Sequence, residues 1–484
     1  MHALSWDARI TGRMRDGADP IREGAFVKPL HHVEDKVPEF LAGMEADLEQ
    51  GLLPVRVFNN QQIYDLELRR IFARSWVFIG HESEIPNPGD FAARYIGDDP
   101  FIFVRGNDGI IRVLLNSCRH RGAQVCRTEV GNAKSFTCPF HGWSYKNNGE
   151  LDGVPAKREG YRELNLSQWG LFAAPKVASY CGLVFANLDP DAVSFDEYLG
   201  SYKWYLDIQL KLSEGGMEVI GEPHRWIVDA NWKQGAENFC GDSSHTQMTH
   251  KSVIDVGIVD RAAAGAPNKK FGLHVHDCDG FAISIRQLEE GSSVFWNYPP
   301  DVTAHFSTKR LSEAQYELAK RSIVHNGTVF PNFSFLHFGV TDSEEKPAAG
   351  YLSIRVWQPK GPGKTEIWNW IMAPKEASQA YKRRAYQVGM SSFGPSGSFE
   401  QDDVAVWPGV ARSASTVFAE INNVKLNYQM GLGAMGDSQP IADWPGPGTA
   451  IQSNAGEGGL RTFHRTWYER IMPDRERRRD PVHG

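Results

Sequence analysis

After a mixed, charge-rich opening over residues 1–40, which reads as an arm, the chain divides into stretches of distinct hydrophobic period. Residues 43–56 predict a short helix. Residues 61–76 (QQIYDLELRRIFARSW) predict a better one, because Ile63, Leu66, Leu68, Ile71 and Phe72 approximate a helical stripe. Beyond Trp76 the period shortens. VFIGH, FAARYI, PFIFVRG, IIRVLLNSC, SFTCPFHGWSY and GLVFANL are β-prone runs broken by Gly, Asn, Asp and Pro. They predict a small antiparallel β domain over 75–195. Helical period returns in FDEYLGSYKWYLDIQL. The runs HVHDCDGFAISIRQ, SSVFWNY, GTVFPNFSFLHFG, GYLSIRVWQPKG and KTEIWNWIMAP then predict strands, and EASQAYKRRAYQVGMSSF a helix. The fold class implied is α+β. A small antiparallel β domain is inserted in a larger domain, 41–74 and 196–484, with an antiparallel sheet flanked by helices. The Gly-rich segment MGLGAMGDSQPIADWPGPGTAIQSNAGEGG lacks the following helix and Lys-Ser/Thr pair of a phosphate loop. It reads as an irregular surface loop.

Composition narrows the function classes. The chain has 484 residues, 41 % of them apolar, enough for a sizeable interior. A net charge of −7 argues against a broad nucleic-acid surface. The basic run RERRR at 475–479 reads as a solvated tail or a subunit contact. No run of 18 apolar residues predicts a membrane helix, and the N-terminus has no apolar core of a secretory signal. Six cysteines in so long a chain predict no disulfide framework and point to a reducing cytoplasm, where Cys beside His usually means metal.

Two such clusters fall inside the predicted β domain: Cys118-Arg-His120 and Cys138-Pro-Phe-His141-Gly-Trp. Zinc fingers normally group cysteines with cysteines and histidines with histidines. Here each loop mixes one thiolate and one imidazole. A binuclear iron cluster suits that arrangement better, each loop sending its thiolate to one iron and its imidazole to the other. A [2Fe–2S] centre of the Rieske type ranks above zinc, and zinc above coincidence.

The second constellation is NWKQGAENFCGDSSHTQMTH, residues 231–250. Asp242 and His245 share a helical face. His250 is five residues beyond His245, so a regular helix would carry it through roughly 500°, about 140° off that face. Both can reach one ion only if the helix breaks, and a break is predicted near Met248-Thr249. Two imidazoles and one carboxylate make the facial triad of non-haem Fe(II) oxygenases, with positions left for O₂. Asp242, Glu237 and the remote run SFEQDDVAVW (398–407) all offer the acid. Asp402 or Asp403 could equally serve as helix caps.

The Cys-x-His and Cys-x₂-His-Gly-Trp motifs resemble the Rieske family. Ala123, Phe140 and Trp143 stand where its respiratory branch carries two disulfide cysteines and a serine donor. Fewer hydrogen bonds to sulfur imply a low potential suited to a ferredoxin donor, with Cys126 as a buried free thiol. From about residue 40 onward the chain resembles the large (α) subunits of aromatic-ring-hydroxylating dioxygenases of the naphthalene and biphenyl type. The resemblance implies a [2Fe–2S] Rieske cluster on Cys118, His120, Cys138 and His141, and a mononuclear Fe(II) on His245, His250 and Asp403. It implies Asp242 as a carboxylate bridging the two centres between neighbouring subunits. It places Asn238, Phe239, Thr246, Asn326, Leu336, Phe393 and Phe399 around the substrate. The activity implied is O₂- and NADH-dependent cis-dihydroxylation of an aromatic hydrocarbon or carboxylate, fed by reductase and ferredoxin, with a small β subunit in an α3β3 assembly. The alternatives are a Rieske monooxygenase or demethylase, and a non-catalytic metal-binding electron carrier. An Arg or Lys reaching the iron cavity would favour phthalate-like acids; its absence would favour hydrocarbons.

Overall fold

The computed structural model describes residues 36–258, 272–278, 280–343, 345–433, 440–451 and 456–472. The arm up to residue 35 and the basic run 475–479 lie outside them. The fold is α+β. Its larger part is built on a nine-stranded antiparallel sheet. The main path runs Met217–Val219, Thr365–Pro374, Ala349–Pro359, Phe333–Val340, Ser322–Val329, Phe281–Gln287, Gly272–Cys278, Thr449–Ile451; His224–Val228 also pairs with Thr365–Pro374. Phe333–Val340 and Ala349–Pro359 are buried at every position. Both faces of the sheet are therefore covered, which is why these strands read as near-continuous apolar runs.

Register decides which side chains meet. Residues paired across strands share a face, and successive residues alternate. One row across the sheet is Arg286, Val324, Phe338, Tyr351; the next is Ser284, Asn326, Leu336, Ser353. This face carries the helices. Thr328 Oγ1 donates to the Ala236 carbonyl at 2.8 Å in helix Trp232–Phe239. Tyr351 Oη lies 2.6 Å from Ser392 Oγ in helix Gln379–Phe393, and Phe338 packs edge-on to Phe399 in helix Ser398–Ala414. The opposite face presents Phe333 and Trp370 to Phe78. Phe78 belongs to Val77–His81, which joins Lys176–Tyr180 and Leu183–Asn187 in a three-stranded sheet at the base of the Cys/His domain. One sheet thus separates that base from the helices.

The rest of the Cys/His domain contains a four-stranded sheet, Ile111–Leu115, Asp99–Arg105, Asp90–Ile96, Val130–Asn132, and a three-stranded one, Ser135–Thr137, Ser144–Lys146, Leu151–Gly153. They enclose a separate apolar cluster that includes Phe91, Ile102, Leu114, Phe136 and Tyr145. Among the described residues no helix is long and apolar enough to cross a membrane.

Several elements differ from the sequence prediction. The helix over 43–56 stops at Glu49, where Gly51 turns the chain with φ +69°; Leu52–Pro54 then pairs with Lys425–Asn427. The second helix starts under an Asn60 cap, which accepts from Ile63 N at 3.0 Å, and widens from Leu68 to Phe72 instead of continuing regularly to 76. SSVFWNY is no strand. Phe295, Trp296 and Asn297 take φ of 39°, 50° and 62°. That left-handed turn presses the Trp296 carbonyl onto Gly339 and Gly350, where a Cβ would meet it at 1.9 and 2.6 Å. GTVFPNFSFLHFG belongs to two strands of a hairpin rather than one. The Gly-rich segment contributes an edge strand, Thr449–Ile451, and runs into helix Gly458–Ile471, which periodicity did not predict.

The helix that leads into the second constellation lies close to the sheet at Gly235. A Cβ there would meet the Trp357 ring at 2.2 Å. Overpacking of this kind costs about 1–3 kcal/mol. Gly235→Ala is expected to lower the denaturation midpoint accordingly in a chemical unfolding experiment, whereas Gly153→Ala, with open space at its Cβ, is the control.

Candidate metal centres

The two Cys/His loops share one local geometry. In each, the cysteine N–H donates to the carbonyl five residues on: Cys118 to Ala123 at 2.8 Å, Cys138 to Trp143 at 2.7 Å. In each, the glycine four residues on donates back to the cysteine carbonyl, Gly122 at 2.8 Å and Gly142 at 3.0 Å. Both glycines sit at positive φ, +77° and +72°, which only a residue without Cβ adopts freely. The Gly in CRHRG and in CPFHG is thus what closes each knuckle. Cys118 and Cys138 are buried, and the His120 and His141 rings meet edge to face at 4.5 Å. Trp143 stacks on His120 at 5.1 Å and 4°. Nδ1 of both histidines is buried with no hydrogen-bond partner. Two buried thiols and two unpartnered imidazole nitrogens on adjoining knuckles form a donor set that fits a Rieske cluster.

Tyr145 is a feature the sequence reading missed. Its hydroxyl oxygen accepts from Arg119 N at 3.0 Å, so its proton is directed to Cys118 Sγ at 3.2 Å. Cys126 is a buried free thiol, as expected, with Sγ 3.4 Å from the Thr128 carbonyl.

In the second constellation, the break predicted near Met248-Thr249 is not found: Thr249 N and His250 N donate to the His245 and Thr246 carbonyls at 2.8 and 3.2 Å, and the helical turn ends only after both histidines are placed. Thr246–Thr249 and Lys251–Asp255 are single turns joined at His250, which has φ −98° and ψ 23°. His245 caps the first turn. His245 Nε2 and His250 Nε2 approach Asp403 Oδ1 at 3.6 and 3.5 Å. The three ligand atoms lie within 4.8 Å of one another. Metal bonds of about 2.1 Å at right angles would set them about 3 Å apart, so only a small contraction is needed.

The far nitrogens are also accounted for. His250 Nδ1 lies 3.3 Å from Asp402 Oδ2, and His245 Nδ1 lies 3.5 Å from Asp242 Oδ1, an ion-pair distance without hydrogen-bond alignment. Carboxylates at Nδ1 turn both Nε2 lone pairs toward Asp403. Asp402 and Asp403 are not caps: the helix begins after Gly397, and both lie in its second turn. Glu237 serves elsewhere, accepting from Tyr428 Oη at 3.1 Å and pairing with His464. Of the four candidate acids, Asp403 is the one on the Nε2 side.

Charge is contested among these buried and half-buried groups. Burial pushes the Asp403 carboxyl up to about 7, against the pull of His245. Burial, then the neighbouring His245, pushes His250 down. Asp242 is held at about 2: burial opposes its charge, but His245 and the Ser244 hydroxyl outweigh it. A divalent cation accepts two neutral imidazoles and one charged carboxylate and would settle the contest by coordination.

Above the sheet rows, the triad borders a cavity of about 700 Å³, part of it open to solvent. Asn238, Phe239, Thr246, Asn326, Leu336, Phe393 and Phe399 all line it. Sequence reading missed Ser243, Ile254, Arg286, Val324 and Phe338. Val324 and Phe338 stand two residues from Asn326 and Leu336, so strand alternation could have found them. Arg286 carries no local signal.

Comparison with known proteins agrees with this geometry. Residues 75–180 match the Rieske [2Fe-2S] domain family, and 195–473 match the ring hydroxylating alpha subunit (catalytic domain) family. The N,N-dimethyl phenylurea N-demethylase subunit alpha of Sphingobium sp. (strain YBL2) is 36% identical over 92% of this chain and 97% of its own. The biphenyl dioxygenase subunit alpha of Paraburkholderia xenovorans (strain LB400) is 36% identical over 86% of this chain and 91% of its own. The crystal structure of naphthalene 1,2-dioxygenase from Rhodococcus sp. bound to indole superposes with a TM-score of 0.83, at 38% identity, covering 94% of this chain and 98% of that one.

Behind the cavity wall, Arg355 and Glu400 are fully buried, with Arg355 Nη1 2.7 Å from Glu400 Oε2 at an angle poor for a hydrogen bond. The attraction is mainly Coulombic. Arg355 Nη2 also donates to the Phe393 carbonyl at 2.6 Å, tying two cavity helices to the sheet. Losing one partner of a buried pair leaves a charge uncompensated and costs about 3–5 kcal/mol. Arg355→Met is expected to lower stability by that amount in urea titration, and Arg355→Met with Glu400→Leu to recover much of it. Equal losses in the single and double variants would refute the pairing.

Proposed function

The chain belongs to the ring-hydroxylating α-subunit family with its Rieske domain, and on that premise we propose that it is a terminal oxygenase adding both atoms of O₂ to an aromatic ring as a cis-diol. The observation that carries this reading is the approach of His245 Nε2, His250 Nε2 and Asp403 Oδ1 at the wall of a cavity faced with Phe239, Phe338, Phe393 and Phe399. Cys118, His120, Cys138 and His141 would hold the [2Fe–2S] cluster, and His245, His250 and Asp403 the Fe(II). Bound there, the two groups supply one-electron transfer and oxygen activation.

The chain's own residues do the remaining work. Asp242 and Asp402 orient the two imidazoles through Nδ1. The phenylalanines exclude water and offer a flat ring edge and face contacts. Asn326 Nδ2, which donates to the Phe239 carbonyl at 3.3 Å, fixes the end of the helix that carries Asn238. Electrons would come from NADH through a reductase and a ferredoxin in the cytoplasm. Assembly as α3β3 with a small β subunit would bring the partner subunit's His141 to Asp242 and His245, making Asp242 the shared carboxylate.

A second reading, monooxygenation or N-demethylation, is supported by the Sphingobium relative. Incorporation of ¹⁸O separates the two: both label atoms in the product mean dioxygenation, and a single one means monooxygenation.

Asp403→Ala is expected to remove one iron per chain, leave labile sulfide unchanged and abolish product. Retention of the full iron content would overturn the triad. Asp242→Asn should keep both metals yet slow single-turnover reoxidation of the reduced cluster about 10–100-fold, the usual effect of losing such a partner. An unchanged rate would remove Asp242 from the route.

A further inference from the structure

Asn326 pairs with Ser284 on one side and with Leu336 on the other, so the row passes from polar to apolar within three strands. Asn326 and Leu336 both line the cavity. Asn326 Nδ2 lies 3.3 Å from the Phe239 carbonyl, which can only accept, so the orientation of the amide is fixed. Oδ1 is at its other end. That oxygen has no hydrogen-bond partner among the described residues, in a side chain half-buried at the cavity wall.

The neighbouring hydroxyls are committed elsewhere. His274 is buried, with Nε2 3.0 Å from Ser243 Oγ. Burial pushes the ring down to about 4, so it is neutral at neutral pH, and a backbone hydrogen bond with Gly456 keeps its one proton on the other nitrogen. Nε2 therefore accepts from the Ser243 hydroxyl. Ser284 Oγ, 2.8 Å from Ser243 Oγ, must then donate to it. Arg286 Nη2, on the same face, donates to Thr246 Oγ1 at 3.2 Å and to the Ser243 carbonyl at 3.4 Å. None of these donors serves Asn326 Oδ1.

A plain hydrocarbon seated here would displace water from Oδ1 and return no hydrogen bond, a loss comparable to the bond itself. An O–H or N–H on the ring would return one. We propose that Asn326 is a specificity-determining residue, and that the substrate is an aromatic ring carrying an uncharged hydrogen-bond donor, a hydroxyl or an N–H, which donates to Asn326 Oδ1 while the ring rests on Leu336 and the phenylalanines. This rests on the ring-hydroxylation reading and names its substrate class. Asn238 lines the same cavity, and its side-chain amide has no partner among the described residues. It offers a second contact to the oxygen or nitrogen that carries the donated proton.

The test uses the purified holoenzyme, kept anaerobic for binding, and three probes on one ring system: 2-naphthol, 2-methoxynaphthalene and naphthalene. Dissociation constants come from calorimetry, and turnover from product analysis with the electron-transfer partners present. 2-Naphthol should bind about 2–10 times more tightly than its methyl ether, the range of one neutral hydrogen bond. In Asn326→Leu, which keeps the bulk and removes the amide, that ratio should fall to near one while naphthalene binds as before. Asn326→Ala is read in the same way, each variant being used only if its iron and labile sulfide match the unaltered protein. Equal binding of naphthol and ether to the unaltered protein would overturn the proposal without any variant. A ratio that survives the substitution would overturn it too, because the methyl group would then be rejected by shape. So would an equal loss for all three probes, since Asn326 would then act only by holding the helix end at Phe239. Oxygenation of naphthalene with no preference for naphthol in binding defeats the Asn326 inference alone. Asn326-dependent binding of naphthol with no oxygenated product from any probe defeats the ring-hydroxylation reading and leaves the acceptor site standing.

Discussion

Both imidazoles of the second constellation face one carboxylate oxygen, and that shared acid is the constraint on which the site depends. The backbone from His245 to His250 stays helical, with Thr249 N donating to the His245 carbonyl at 2.8 Å and His250 N to the Thr246 carbonyl at 3.2 Å, so the two side chains leave the turn in different directions and meet only at an atom beyond it. The turn ends at His250, whose φ of −98° and ψ of 23° lead into Lys251–Asp255. The remaining demand is a rigid opposing acid. Helix Ser398–Ala414 supplies it from more than 150 positions away in sequence (152 residues separate His250 from Asp402). Because adjacent positions on that helix point about 100° apart, Asp402 reaches Nδ1 of His250 while Asp403 reaches the Nε2 side.

Everything around this point serves to keep the acid helix and the histidine turns in register. The Arg355–Glu400 pair anchors the first turn of the acid helix to a central strand. A second buried pair, Lys233 Nζ on Glu67 Oε1 at 2.5 Å, anchors the helix before the histidines. Trp232 and Trp467 also donate to that glutamate at 2.8 Å, so its charge is spread over three donors from two segments far from it in the chain. Such buried pairs add little net stability over apolar packing, but misplacing one partner is expensive. Their location around the cavity ties the geometry of the site to correct folding of the whole sheet.

The sheet also imposes a division of labour. Alternation along Phe333–Val340 sends Leu336 and Phe338 to the cavity and Phe333 and His337 to the other face. The base of the Cys/His domain packs on that other face through Phe78. The domain that carries one donor set thus packs on the face of the sheet away from the cavity that borders the other.

Much of this was legible in the residues. Each Cys/His knuckle needs only five or six consecutive residues and a glycine, so C-R-H-R-G and C-P-F-H-G declare it locally. Helical angle alone predicted a break before His250, but the turn runs unbroken to His250, and the two imidazoles meet through their own reach toward Asp403, which the angle did not take into account. The strands buried on both faces announced themselves as apolar runs. Other features depend on contacts between segments far apart in the chain. SSVFWNY has the composition of a strand, yet Gly339 and Gly350 leave room for its left-handed turn, and neither is its neighbour in sequence. Asp242, Glu237, Asp402 and Asp403 were equivalent as acids until packing assigned each to a different nitrogen or hydroxyl. Arg286 looked like any arginine at the end of a strand, until the register laid it beside Val324 and Phe338. Ligand chemistry is a property of residue type and short spacing, so the sequence alone determined which donors this protein offers. Which donor faces which, and which charge lines the cavity, depends on strand register and on helices meeting across long stretches of chain, and only the tertiary structure decided that.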